Sequence, residues 1–248
     1  MIDPETRRKL RLIGISEAVE VLEMMEHDQS YQNLPFDDKM RVVIDYVYQK
    51  KENESVKRLL QRAHLRIATA DISGIIYDGR PLSRELVANL GTCQFAETHR
   101  DVAIVGYTGT GKTYLACALA KQACKRRLRT LYVRAPDLFM DREERLSAGT
   151  SEQKLLKKYA RYDVLVVDEW LIDALEPDQM RFMFELVDRR SDTSSTIWCS
   201  QYPVADWHQR LGGGTHADAI LDRIVHNATV VETGEVNMRE LTACGTRD

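Results

Sequence analysis

The sequence predicts an α/β fold, a parallel five-stranded sheet between helix layers, preceded by a small all-helical domain. Three observations predict it. After residue 100, five short β-rich runs alternate with helical stretches. A glycine- and threonine-rich turn, "GYTGTGKT", separates the first run from the first of these helices. Before residue 69 the apolar residues follow a helical period.

In the amino-terminal part, Leu10, Leu12, Ile15, Val19, Leu22 and Met25 recur at roughly helical spacing. "LPFDDKMRVVIDYVYQKKENESVKRLLQRAHLRIA" continues that period, with Asp37 as its expected cap. Residues 1–68 are read as one helical domain. Residues 69–98 carry Gly74, "YDGRP" and Gly91, so they read as a connecting segment with one short helix over 83–93. Residues 99–248 hold the runs "DVAIVG", "RTLYVR", "DVLVVD", "STIWCS" and "ATVVET", with helices beginning near Lys112, Pro136, Pro177 and His216. Strands joined through helices pair in parallel, and ligands of such sheets bind at the carboxyl ends of the strands.

Composition narrows the classes. The chain has 248 residues, 44% hydrophobic and 29% charged, and no apolar run long enough to span a membrane. "MIDPETRRKL" has no apolar leader region, so a cytoplasmic protein is expected. Cys93, Cys117, Cys124, Cys199 and Cys244 are scattered and lack C-x-x-C spacing, which argues for reduced, mostly buried thiols rather than a disulfide framework or zinc site. His208, His216 and His226 lack companions at ligand spacing and read as structural. Trp170 and Trp198 read as packing residues, and Trp207 as packing or base stacking. With a net charge of -3, any attraction to nucleic acid must be local.

Gly106, Gly111, Lys112 and Thr113 fit G-x-x-x-x-G-K-[ST] between a strand and a helix. The loop from Gly106 through Tyr107, Thr108, Gly109, Thr110 and Gly111 would wrap phosphates with its N–H groups, and Tyr114 follows in the first helical turn. Lys112 would reach the β and γ phosphates of ATP, and the Thr113 hydroxyl would ligate Mg2+. "YDVLVVDEW" is a buried strand ending in two acids. Asp168 would hold the magnesium through water, and Glu169 would polarise the attacking water as general base. "STIWCSQ" ends in Ser200 and Gln201; Gln201 either orients the water, senses the γ phosphate, or is simply a polar strand exit.

With these three strand ends in order, the second half resembles the AAA+ P-loop ATPases. "GTGKTYLACALAKQAC", "DVLVVDEW", "CSQYPVADWH", and above all "HADAILDRIVHNA" followed by "GEVNMRE", resemble the IstB-like ATPases that accompany bacterial insertion-sequence transposases, a group similar to the DnaC helicase loaders. The resemblance covers the whole chain, including the "LPF" segment and an arginine-rich helix. It implies that Arg223 is an arginine finger completing a neighbouring subunit's site, and that Arg239 is a sensor arginine contacting the nucleotide in its own subunit. On residue type alone Arg223 could instead pair with Asp218 or Asp222. Two departures stand out: "RLGGGTHADA" replaces a Gly-Asp-Pro-Thr type loop, and Trp170 and Leu171 follow the acids where a glycine is common.

Lys57, Arg58, Arg62 and Arg66 form a basic stripe, with 58, 62 and 66 spaced along one helix face. Such a stripe is either a solvated face or a track for phosphates; the resemblance favours the second, with sequence-tolerant binding to double-stranded target DNA. "KRRLR" at 125–129 reads as an exposed helix end. The resemblance implies a DNA-dependent ATPase that self-associates on target DNA and assists a cognate transposase. The alternative is a DnaC-like helicase loader acting through protein interaction. A small-molecule kinase fits less well, because no segment supplies an acceptor site or substrate lid.

Overall fold

The computed structural model describes residues 2–238 together with Glu240 and Leu241. The chain divides into two compact units, residues 1–58 and 59–248. In the first, α1 (Pro4–Leu12), α2 (Glu17–His27) and α3 (Phe36–Arg62) are helical as predicted. The Asp3 carboxylate caps α1, accepting from the N–H groups of Glu5 and Thr6 at 3.0 and 2.9 Å. Ala18, Val21, Met25 and Val43 make this unit's small core. α3 begins one residue before Asp37, so Asp37 and Asp38 lie in its first turn, where they favour the helix dipole rather than cap it. Its carboxyl-terminal turn, from Leu59, belongs to the second unit.

The segment read as a joint is part of the second unit's core. Ala70, Ile75, Leu82, Val87 and Leu90 are buried in one cluster with Val102, Ile104, Leu115 and Leu119. Two helices lie in it, α4 (Arg84–Gly91) and the short α5 (Gln94–Glu97). The Ser83 hydroxyl caps α4 by accepting from Leu86 N–H at 3.2 Å.

The five β-rich runs become β1 (Asp101–Val105), β2 (Thr130–Arg134), β3 (Val164–Asp168), β4 (Ser195–Ser200) and β5 (Ala228–Glu232). They form one parallel sheet in the order β2-β3-β4-β1-β5. Successive side chains of a strand face opposite layers. Thus Val102 and Ile104 join the cluster under α6 (Lys112–Lys125), and Ala103 and Val105 join the other layer. That second layer holds α7 (Ala135–Ser147), α8 (Glu152–Ala160), α9 (Pro177–Arg190), α10 (Trp207–Arg210) and α11 (Gly214–Val225). The predicted helix starts near Lys112, Pro136, Pro177 and His216 fall within two residues of the observed ones; α8, which buries Leu155, Leu156 and Tyr159, is an additional element. The four described cysteines, Cys93, Cys117, Cys124 and Cys199, are all buried. No helix among the described residues is long and apolar enough to cross a membrane.

Candidate active site

Parallel register brings the carboxyl ends of the strands to one edge. Val105 stands opposite Ser200, and Arg134 opposite Asp168. The β1–α6 turn rises over this edge. Gly109 has φ +87°, a backbone conformation that glycine adopts freely and other residues only with strain. Gly111 precedes α6 with no side-chain cap, leaving the first N–H groups of the helix available to an anion. Lys112 donates to the carbonyls of Gly106 and Tyr107, both at 2.7 Å.

The turn is braced from outside. Arg80 donates to the carbonyls of Thr110 at 2.6 Å, Ile76 at 2.7 Å and Thr233 at 3.2 Å. The Thr110 and Thr233 hydroxyls pair at 2.7 Å. Beside the turn lies a cavity of about 350 Å³ walled by Ile67, Ile75, Ile76, Leu82, Tyr114 and Met238, an apolar lining suited to a nucleobase. Tyr107 is exposed at the tip of the turn.

Thr113 Oγ1 donates to Asp168 Oδ2 at 2.7 Å, across from α6 to the end of β3. The same oxygen accepts from the Tyr132 hydroxyl at 2.6 Å, and Asp168 Oδ1 accepts from Glu169 N–H at 2.9 Å. Burial, then the charge of Asp168, raises the Tyr132 pKa, so the phenol stays protonated and donates. A hydroxyl beside one carboxylate suits magnesium, a hard cation that binds through one or two protein oxygens and takes the rest of its shell from water and phosphate. Among the described residues there is no larger cluster of metal-ligating side chains.

Glu169 lies against two arginines. Its Oε2 accepts from Arg134 Nε at 2.8 Å and Nη2 at 2.6 Å, and its Oε1 accepts from Arg66 Nη1 at 3.0 Å. Burial pushes its pKa up, but the hydrogen bonds from Arg134 and Arg66 outweigh burial and hold the carboxyl below the usual glutamate range. Glu169 and Leu171 both have left-handed backbones, φ +57° and +58°. Leu171 thus occupies, with some strain, a conformation that glycine adopts freely. The residue between them anchors the turn: Trp170 is fully buried, 4.8 Å from the Trp198 ring and 6.4 Å from the Trp207 ring. All three tryptophans are packing residues.

The other predicted residues fall as follows. Thr108 Oγ1 donates to Gln201 at 3.3 Å, so Gln201 faces the phosphate turn, while Ser200 is buried and donates to the Trp170 carbonyl. Arg223, at the end of α11, pairs with Asp188 of α9 at 2.7 Å and stacks on Phe184. Its expected alternatives are engaged elsewhere, Asp218 with His208 and Asp222 with His226. Arg239 lies outside the described residues. Lys57, Arg58 and Arg62 are exposed on α3, but the helical stripe does not reach Arg66. α3 ends at Arg62, His64 turns left-handed at φ 52°, and Arg66 points instead at Glu169.

Sequence reading passed over Tyr132, Arg134 and Arg80. The first two sit in "RTLYVR", the strand that pairs with β3, and a tyrosine and an arginine near a strand's carboxyl end were the available signal.

A glycine-rich turn on β1, a threonine and acid pair bridging α6 and β3, and a sheet order with β4 between β1 and β3 define a P-loop nucleotide-binding domain of the AAA+ class. The chain belongs to the IstB-like ATP binding proteins, which it matches over residues 5–244. It is 29% identical over 241 residues to an insertion sequence ATP-binding protein of Sinorhizobium fredii, covering 97% of each chain. It is 32% identical over 197 residues to the ATP-binding protein of insertion sequence IS1162 from Pseudomonas fluorescens, covering 79% of this chain and 83% of that one. The DnaC helicase loader shares the fold with a TM-score of 0.56 at 22% identity, covering 66% of this chain and 96% of the loader. AMPPCP-bound DnaA from Aquifex aeolicus also gives 0.56 at 22% identity, covering 66% of this chain and 50% of DnaA.

Proposed function

We propose that the chain is a magnesium-dependent ATPase that self-associates on double-stranded target DNA and assists the transposase of an insertion sequence. The observation that carries the hydrolytic part is the 2.7 Å bond from Thr113 to Asp168 with Glu169 next along the same turn. The insertion-sequence relatives support the transposition part. Likeness to the helicase loader is one of fold, so the loader reading stands second.

ATP would lie with its base in the apolar cavity and its phosphates on the N–H groups of the turn. Lys112 would exchange its two carbonyl acceptors for phosphate oxygens. Magnesium bound through Thr113 and Asp168 would neutralise charge on the β and γ phosphates. Water attacks the γ phosphorus, the bond to the β–γ bridging oxygen breaks, and the water's proton passes to Glu169, giving ADP and phosphate. Arg223 would leave Asp188 to serve the neighbouring subunit's γ phosphate, which makes turnover depend on assembly.

Electron microscopy of the protein with ATP, magnesium and duplex DNA, alongside turnover of Arg223→Ala, tests this reading. Rings or filaments on DNA and a collapse of turnover in the variant are expected. Isolated particles with unchanged turnover would sink it.

A further inference from the structure

Beneath the phosphate turn, the hydroxyls of Thr110 and Thr233 face each other at 2.7 Å, and both residues are fully buried. Thr110 belongs to the turn and Thr233 follows the end of β5. Arg80 holds the two together by donating to both of their carbonyls, at 2.6 Å to Thr110 and 3.2 Å to Thr233. Gly106 leaves them room, since a Cβ there would collide with Thr233 Oγ1.

Each hydroxyl carries one hydrogen, and one of the two hydrogens must lie between the paired oxygens. The other has a choice. It goes to the Tyr107 carbonyl, 2.7 Å from Thr110 Oγ1, or to the Val105 carbonyl, 3.1 Å from Thr233 Oγ1. Val105 keeps a partner in either arrangement, because its carbonyl also accepts from Thr233 N–H at 2.8 Å. The Tyr107 carbonyl is placed differently. It accepts from Lys112 at 2.7 Å and, at a longer 3.3 Å, from Thr110 N–H. Once Lys112 moves to a phosphate, the Thr110 hydroxyl is the short-range donor that remains. A carbonyl that loses a donor destabilises its surroundings, and a chain of hydroxyls replaces that donor by rotating two hydrogens while every heavy atom stays in place.

We propose that Thr110 and Thr233 are positioning residues whose hydroxyl hydrogens turn toward the Tyr107 carbonyl as Lys112 leaves it for the phosphates of ATP. The turn then keeps one shape with and without nucleotide, and the lysine is released at little cost. The proposal rests on the exchange of acceptors by Lys112 described above. It adds what the turn receives in return.

The test is ATP affinity of the full chain by fluorescent-nucleotide titration, with turnover at saturating ATP and magnesium, for Thr233→Val and Thr233→Ser. Valine keeps the shape and removes the hydroxyl, so loss of one buried link predicts affinity about fivefold weaker, with saturated turnover within about twofold of wild type. Serine keeps the hydroxyl and restores wild-type affinity. The Lys112→Ala background separates a hydrogen-bond chain that responds to the lysine from a fixed brace. There the Tyr107 carbonyl lacks the lysine in the free and the bound state alike, so Thr233→Val costs both equally and changes affinity by less than about twofold. The same fivefold loss on both backgrounds overturns the proposal, as does a valine variant that binds ATP like wild type. If thermal melts show the valine variant unfolded, Thr233→Ala against Thr233→Ser decides on the same two backgrounds and by the same criteria. Failure of the parent reading looks different: Lys112→Ala itself binds ATP as wild type does, which overturns the proposal together with the exchange it assumes.

Discussion

The ends of β1 and β3 lie at one edge of the sheet with β4 between them, and they are prepared differently. At β1, Lys112 rests on neutral carbonyls of its own turn, partners that an incoming phosphate outcompetes. At β3, the Glu169 carboxylate sits between two guanidinium groups and on a left-handed backbone. On the proposed function, the β1 end would bind ATP and the β3 end would hydrolyse it, with Glu169 held by two charged partners. Binding and hydrolysis should therefore respond to different substitutions.

The largest effect on ATP affinity is expected at β1. Lys112→Ala should weaken ATP binding on the order of 100-fold, read by fluorescent-nucleotide titration, since a charged donor to two phosphates is removed. An affinity within a few-fold of wild type would break the comparison at its first term.

A smaller effect, on the other half only, is expected from Tyr132→Phe. The substitution removes the 2.6 Å bond to Asp168 and keeps the ring in its buried place. Turnover should fall about fivefold to tenfold and half-maximal magnesium should rise, with ATP affinity measured without magnesium unchanged. Equal loss in affinity would mean that the two strand ends are not separable.

The smallest effect concerns neither end. The Asp141 carboxylate ties α7 to α8, accepting from Lys158 at 2.8 Å, Tyr159 at 2.7 Å and Arg145 at 2.6 Å. Burial pushes its pKa up, but these bonds outweigh burial and bring it down to about 2. A depressed carboxyl stabilises the fold above its unfolded pKa near 4, and that contribution is lost as pH falls from about 4 toward 2. Asp141→Asn should cost about 1 kcal/mol near neutral pH and flatten this part of the acid unfolding curve, with turnover unchanged. Denaturant melts between about pH 2 and 7 check it, and an unaltered acid limb would refute the assignment.

What could be read from residues alone was local. The five strands, and the place of Lys112, Thr113, Asp168 and Glu169 at the carboxyl ends of two of them, followed from short periods and contiguous motifs. Arg66 was misplaced because the helical spacing gave no warning of the left-handed turn at His64. Tyr132 and Arg134 act across the β2–β3 pairing, and that register exists only once the sheet is built. Arg80 binds three backbone carbonyls from a segment that reads as a joint, and carbonyls carry no sequence signature. The partition of the chain moved for a similar reason, since Ile75, Leu82 and Val87 pack into the sheet's own core.

The separation of the two halves is tested most directly by Glu169→Gln, measured for ATP affinity and for turnover in the presence of magnesium and duplex DNA. The account predicts affinity within about threefold of wild type and a turnover reduced by about 100-fold or more, as expected for loss of a general base. A variant that still hydrolyses ATP at a comparable rate, or one that loses its grip on ATP, would contradict it.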